Sequence, residues 1–166
     1  MDQQTLIDTP ASEPRERFPQ LYRLETYRVQ FVCEPGTYPG QPCRCSEDLY
    51  HIAQSIYRTL DADKEHFTVL ILNNKNRVNG FKVISTGSLT ASLVHPREVW
   101  RACLYLAGAA VCFIHNHPSG DPAPSPEDIE ITRRLKETGE MLGIRILDHV
   151  ILGERRFFSF SDKGML

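Results

Sequence analysis

Residues 109–128 read AAVCFIHNHPSGDPAPSPED, an apolar run that ends in two histidines, a proline-rich loop, and a serine followed three positions later by an aspartate. Ala109–His115 has the continuous apolar character of a strand covered on both faces. At the end of an extended strand, His115 and His117 point to the same side, so their imidazoles can converge on one metal ion. Asp128 comes eleven residues after His117 and falls in the first turn of the next helix. Pro118, Pro122, Pro124 and Pro126 stiffen the loop between them, which lowers the entropic cost of bringing the carboxylate back to the histidines. Two histidines and one carboxylate make a three-ligand Zn²⁺ site whose fourth position is left for water, as in catalytic zinc centres. Each piece also has a plainer meaning. A bare His-x-His is a weak signal, a proline-rich loop is a rigid turn, and Ser125-x-x-Asp128 is a helix capping box with Asp in the Glu position. Capping and ligation are compatible, because a capped first turn holds the Asp128 backbone in place. The co-occurrence of all three features is what points to a metal.

Outward from this stretch, strands alternate with helices. Upstream, Leu49, Ile52, Ala53, Ile56, Tyr57 and Leu60 form one buried helical stripe, with Ser46 as expected N-cap and Glu47 and Asp48 at the positive helix end. Phe67–Leu72 is an apolar strand, Asn73–Asn76 is turn chemistry, and Val78–Ser85 returns as a second strand. Pro96 opens a helix expected to reach about Ala107 and stop at Gly108. Downstream, a helix runs from Ser125 to about Leu142 with Gly143 as its stop. Strands follow over Ile144–Leu152 and Arg156–Phe160, separated by a Gly153-Glu154 turn. The architecture expected is α/β, a mixed β-sheet flanked by helices. Residues 1–20 are expected to be a flexible arm and 21–45 an extension with a strand over 22–33 and a loop over 34–45. The domain proper is expected over 46–166.

The chain has 166 residues, of which 41% are hydrophobic and 24% charged, with a formal charge of −2. These values suit one globular domain and lower the expectation of a protein living mainly on phosphate contacts. No apolar run approaches a membrane span, and residues 1–20 lack a signal-peptide pattern. With five cysteines and no such leader, a reduced, cytoplasmic protein is expected.

His115-x-His117, seven residues, then Ser125-x-x-Asp128 resembles the JAMM motif of the JAB1/MPN metalloproteases. The surrounding HNHPSGDPAPSPED, ILDHVILG and SFSDKG resemble the RadC family closely, over about residues 46–166, a family whose members are often labelled DNA repair proteins. Many RadC proteins carry an N-terminal helix-hairpin-helix region that residues 1–45 do not resemble, so a short form of the family is expected. The resemblance implies a JAB1/MPN fold, zinc held by His115, His117 and Asp128, and a Ser125 hydroxyl helping to stabilise an oxyanion. It also implies an upstream glutamate that contacts the metal's water. Glu65, where the first core strand begins, is the match, and Glu98 on the following helix is its rival. The activity implied is hydrolysis of an amide or isopeptide bond in a peptide substrate that the sequence does not name. The other reading is a DNA repair or recombination accessory protein with a structural or vestigial metal site. Phosphoester cleavage is a third, though many such enzymes use two metals. The motif pair of a zinc deaminase is absent.

Other signals are weaker. Cys33, Cys43, Cys45 and His51 do not have structural-zinc spacing, and the cysteines are read as free thiols. Asp148 and Asp121 are candidate acceptors for the ring N–H groups of the ligand histidines. Asp148-His149 is read equally as lining the site or as a structural pair. His95 is read as a loop end, and Arg133-Arg134-Lys136 as a solvated face.

Overall fold

The computed structural model describes residues 40–87 and 94–166. The expected arm over 1–20 and strand over 22–33 lie outside the described residues. The elements are α1 (Ser46–Tyr57), β1 (Glu65–Leu72), β2 (Val78–Gly87), α2 (Pro96–Tyr105), β3 (Ala110–Asn116), α3 (Pro126–Leu142), β4 (Arg145–Leu152) and β5 (Phe157–Ser159). The five strands form one mixed sheet in the order β2-β1-β3-β4-β5. β3 and β4 are parallel and the other neighbours antiparallel. The parallel pair is the one joined through a helix, α3, as a parallel crossover requires.

The two faces of the sheet bury different residues of the same strands, because side chains alternate along an extended chain. Leu70 and Leu72 of β1, with Ala110, Cys112 and Ile114 of β3, pack under the α1 stripe Leu49, Ile52, Ala53 and Ile56. Phe67, Val69 and Ile71, with Val111 and Phe113, pack against Val99, Trp100 and Cys103 of α2 and Leu135 of α3. Each fully buried Leu, Ile, Val or Phe contributes about 1.5–3 kcal/mol. Alternation puts His115 in phase with Val111 and Phe113, on the α2/α3 face.

β2 runs on to Gly87, β4 begins at Arg145 and β5 covers only Phe157–Ser159; four further expectations shift for reasons the structure shows. β1 begins at Glu65, two residues early, because buried His66 is anchored at both ring nitrogens, by Thr86 Oγ1 at 3.0 Å and the Asp61 carbonyl at 2.9 Å. The N-cap of α1 is Cys45 and not Ser46; the Ser46 hydroxyl instead donates to Asp162 at 2.6 Å. α2 ends at Tyr105, since Ala107 turns into the left-handed region with φ 48°. His95 is the N-cap of α2, its Nδ1 accepting from the Arg97 N–H at 3.2 Å. The stop of α3 is as expected, with Gly143 at φ 69°. The end of the predicted 34–45 loop runs beside the β1–β2 turn, where Cys43 N–H donates to the Asn76 carbonyl at 2.9 Å.

Candidate metal centre

His115 and His117 sit at the carboxyl end of β3, beside its parallel neighbour β4, the end of an α/β sheet at which ligands are bound. The loop that follows is folded back by short-range bonds. His117 N–H donates to the Leu152 carbonyl at 3.0 Å, Gly120 N–H to the His117 carbonyl at 2.9 Å, and Glu154 N–H to the Gly120 carbonyl at 3.0 Å. Gly153 must lack a side chain here, because a Cβ would lie 2.5 Å from the Gly120 carbonyl oxygen. The loop then enters α3 through a complete capping box. Ser125 Oγ accepts from Asp128 N–H at 3.1 Å, and Ser125 N–H donates to Asp128 Oδ2 at 2.7 Å.

The fold brings His115, His117 and Asp128 together, and this is the metal-capable group of three among the described residues. His115 Nε2 lies 3.1 Å from His117 Nε2 and 3.1 Å from Asp128 Oδ1, and His117 Nε2 lies 3.4 Å from Asp128 Oδ2. A tetrahedral ion with bonds of about 2.0–2.1 Å has ligand–ligand edges of roughly 3.3–3.4 Å, close to these separations, with the two histidines meeting different oxygens of the Asp128 carboxylate. His117 Nδ1 is 2.7 Å from the Asp121 carbonyl. A carbonyl only accepts, so that ring nitrogen carries a proton, and neutral His117 presents a lone pair at Nε2. The capping box uses Oδ2 of Asp128 and leaves Oδ1 facing His115. Two imidazoles and a carboxylate at this spacing could hold a divalent metal.

The electrostatics fit a cluster built around positive charge. Burial alone would push the Asp128 carboxyl up, but the neighbouring rings of His115 and His117 and the Ser125 hydroxyl outweigh it and hold the group well below the usual carboxylate range. The bond to Asp128 raises His117 against the opposing effect of burial, and the Asp121 carbonyl and the charge of Glu65 add to the rise. His149 is pushed far below its ordinary value, first by complete burial.

Glu65 opens β1. The pairing Phe67↔His115, continued two residues, puts Glu65 abreast of His117, and its charge is felt at His117. Sequence reasoning missed what holds it there. Asn116, the middle residue of His-x-His, donates from Nδ2 to the Lys64 carbonyl at 2.8 Å and accepts at Oδ1 from His66 N–H at 2.8 Å. It thus grips the backbone on both sides of Glu65. Glu98 lies in the first turn of α2 with its carboxylate taken by Arg101. The Ser125 hydroxyl is engaged by the first helical turn, donating to Asp128 Oδ2 at 2.7 Å.

The candidate acceptors divide. Asp121 serves His117 through its main-chain carbonyl, not its carboxylate. Asp148 bonds to neither ligand ring; its carboxylate accepts from Ser159 Oγ, Ser161 N–H and His149 N–H, while burial pushes its pKa up. The residue at His115 Nδ1 is His149, at 2.8 Å. The Asp148-His149 dipeptide therefore splits: His149 faces the site and Asp148 is structural. Cys43 is buried against Cys112, Cys45 is exposed, and His51 pairs with Glu47 at 3.4 Å, so these residues are not gathered. In the basic cluster of α3, Arg133 is held by Glu130 and Glu137.

Among the described residues, no helix is long and apolar enough to cross a membrane. A family model described as RadC-like JAB domain matches residues 43–165. The chain is 57% identical over 147 residues to a UPF0758 protein of Trichlorobacter lovleyi, covering 89% of this chain and 57% of that protein. It is 46% identical over 144 residues to a UPF0758 protein of Geobacter sulfurreducens, covering 87% and 59%. It is 48% identical over 120 residues to one of Desulfitobacterium hafniense, covering 72% and 52%. The chain thus spans a little over half the length of these curated relatives. The five-stranded mixed sheet, the His-x-His and Ser-x-x-Asp geometry and a family match across most of the sequence agree, and the chain belongs to the RadC-like JAB domain family.

Proposed function

We propose that this domain is a zinc-dependent hydrolase that cleaves an amide or isopeptide bond, with Glu65 as general base. The observation that carries the reading is the convergence of His115 Nε2, His117 Nε2 and the Asp128 carboxylate within 3.1–3.4 Å, with the charge of Glu65 acting on His117. Zinc held there supplies Lewis acidity and a nucleophile from water near neutral pH. Three ligands leave a fourth position for the reaction. Glu65 takes the proton of the attacking water and passes it to the leaving nitrogen, a contribution of about 10²–10⁴ in rate. Ser125 Oγ would turn its proton from Asp128 Oδ2 toward the developing oxyanion while its backbone N–H keeps that oxygen; such a donor is worth roughly 3–4 kcal/mol.

His117 also lines a cavity of about 430 Å³ with Tyr50, Tyr57, Leu152 and Glu154. It is the more exposed of the two ring ligands, so a peptide substrate would approach from that side. The free cysteines among the described residues fit a reduced, cytoplasmic setting.

The test uses zinc-loaded protein and a panel of quenched peptides and lysine isopeptides. Turnover is expected in the wild type and a loss of at least about 10²-fold in Glu65→Gln, with zinc still bound. Equal turnover in Glu65→Gln would overturn the assignment of the base. No turnover, combined with tight, steeply salt-dependent DNA binding that survives Asp128→Ala, would favour an accessory role in DNA repair.

A further inference from the structure

We infer that Thr132 and His149 form a positioning relay that fixes the ring proton of His115 on Nδ1 and so keeps His115 Nε2 free for the metal. The inference rests on the metal-centre reading above and assigns work to two residues outside the ligand set. Both are buried, Thr132 one helical turn after Asp128 on α3 and His149 on β4.

Hydrogen-bond direction carries the argument. Thr132 Oγ1 lies 2.5 Å from the Asp128 carbonyl and 2.6 Å from His149 Nδ1. The carbonyl can only accept, so it takes the single hydroxyl proton. Thr132 Oγ1 must then accept from His149, which places a proton on His149 Nδ1. The His149 ring is walled by Phe67 and Phe113 and stacked on Phe160, with centroids 4.9 Å apart. Neither of its nitrogens is bonded to a carboxylate. A buried, unpaired imidazolium is costly there, so the ring is neutral and Nε2 is bare. That bare nitrogen lies 2.8 Å from His115 Nδ1, so His115 Nδ1 is the donor. With that proton held on Nδ1, the neutral ring, which is the form that binds a metal, has its lone pair on Nε2.

The chain closes on itself. It runs from the Asp128 carbonyl through Thr132, His149 and His115 back to Asp128 Oδ1, 3.1 Å from His115 Nε2. One hydroxyl, anchored on the main chain of Asp128, thereby sets the proton placement of His115 through His149. His115 Nε2 then lies 3.1 Å from both His117 Nε2 and the Asp128 Oδ1 that the capping box leaves free, an arrangement that a cation between them stabilises.

Thr132→Val removes the acceptor with little change in shape. The proton of His149 then moves to Nε2, and that of His115 must leave Nδ1 for Nε2, where it blocks the metal. The experiment compares Thr132→Val with Thr132→Ser. It reads the ¹⁵N NMR signature of His115 in metal-free protein and the zinc Kd by chelator competition. In Thr132→Val the His115 proton should sit on Nε2 and zinc should bind about 10–100-fold more weakly; Thr132→Ser should match the wild type on both. Should Thr132→Val not fold, His149→Gln (an acceptor toward His115 and a donor toward Thr132) against His149→Leu makes the same comparison. A Thr132→Val protein that keeps the Nδ1 proton and the wild-type Kd overturns the relay, as does a serine variant as weak as the valine one. A wild type that binds no zinc overturns the metal-centre reading instead, and the NMR signature still decides the relay.

Discussion

Replacing Ser125 by alanine tests how one residue serves both the helix and the site. Its hydroxyl accepts from Asp128 N–H at 3.1 Å and donates to Asp128 Oδ2 at 2.7 Å. Loss of an N-cap side chain costs about 1 kcal/mol, and a hydrogen bond to an ionised group about 1.5–3 kcal/mol. The two share one hydroxyl, and Ser125 N–H still bonds Oδ2 at 2.7 Å, so the carboxylate is not orphaned. The expected penalty is therefore about 2–3 kcal/mol. For a chain of this size that lowers Tm by roughly 5–10 °C, read by calorimetry on zinc-free protein at pH 7. The sign with pH is fixed by Asp128, whose carboxyl is held below its ordinary value. Such a group contributes stability above its unfolded pKa of about 3.9 and loses it as pH falls through the lower folded value. The Ser125→Ala penalty should accordingly shrink in strong acid. Ser125→Thr, which keeps a hydroxyl, should lose less than half as much. A Ser125→Ala protein within about 0.5 kcal/mol of wild type, inside the range of a neutral surface change, would refute the dual role, as would a threonine variant equally damaged.

Three further outcomes follow from the same geometry. His117 is raised in the metal-free state; its contribution to stability is present below its unfolded pKa of about 6.5 and lost as pH rises through the higher folded value, so zinc affinity should climb across that window as the competing proton leaves. Isothermal titration from pH 6 to 8.5 checks this, and a flat profile would count against it. Asn116→Ala removes two bonds at 2.8 Å that grip Glu65; it should cost about 1–3 kcal/mol and abolish turnover while leaving zinc Kd within a few-fold, and a large loss of zinc would show that Asn116 supports the ligands instead. Among the described cysteines, only Cys45 is exposed, while burial pushes Cys103 up to about 11; mass spectrometry after brief thiol alkylation should find Cys45 labelled and Cys43, Cys103 and Cys112 labelled only on unfolding.

The His115, His117 and Asp128 group was legible because it obeys local periodicity. Two residues apart on a strand means one face, and Ser-x-x-Asp before a helical pattern means a carboxylate fixed in a first turn; the fold brings both together without long-range surprises. Legibility failed where a side chain is committed to a distant partner. Ser46 looks like an N-cap, yet its hydroxyl is taken by Asp162, 116 residues away. His66 looks too polar for a buried strand, yet Thr86 and the Asp61 carbonyl satisfy it. Asn116 is only the unspecified middle residue of His-x-His, yet its bonds reach back 50 and 52 residues to β1 and its approach. Asp148-His149 stood out in the sequence, but which of the two faces the site is set by the parallel register that places His149 against Phe113, two residues before His115. No window of sequence contains that register.

Zinc content measures the central claim directly. Protein stripped by chelator, dialysed against excess Zn²⁺ and passed through a desalting column should carry one equivalent by elemental analysis. His117→Ala and Asp128→Ala should carry little while keeping wild-type circular dichroism. Wild-type protein that emerges without zinc, or ligand variants that retain the full equivalent, would contradict the account.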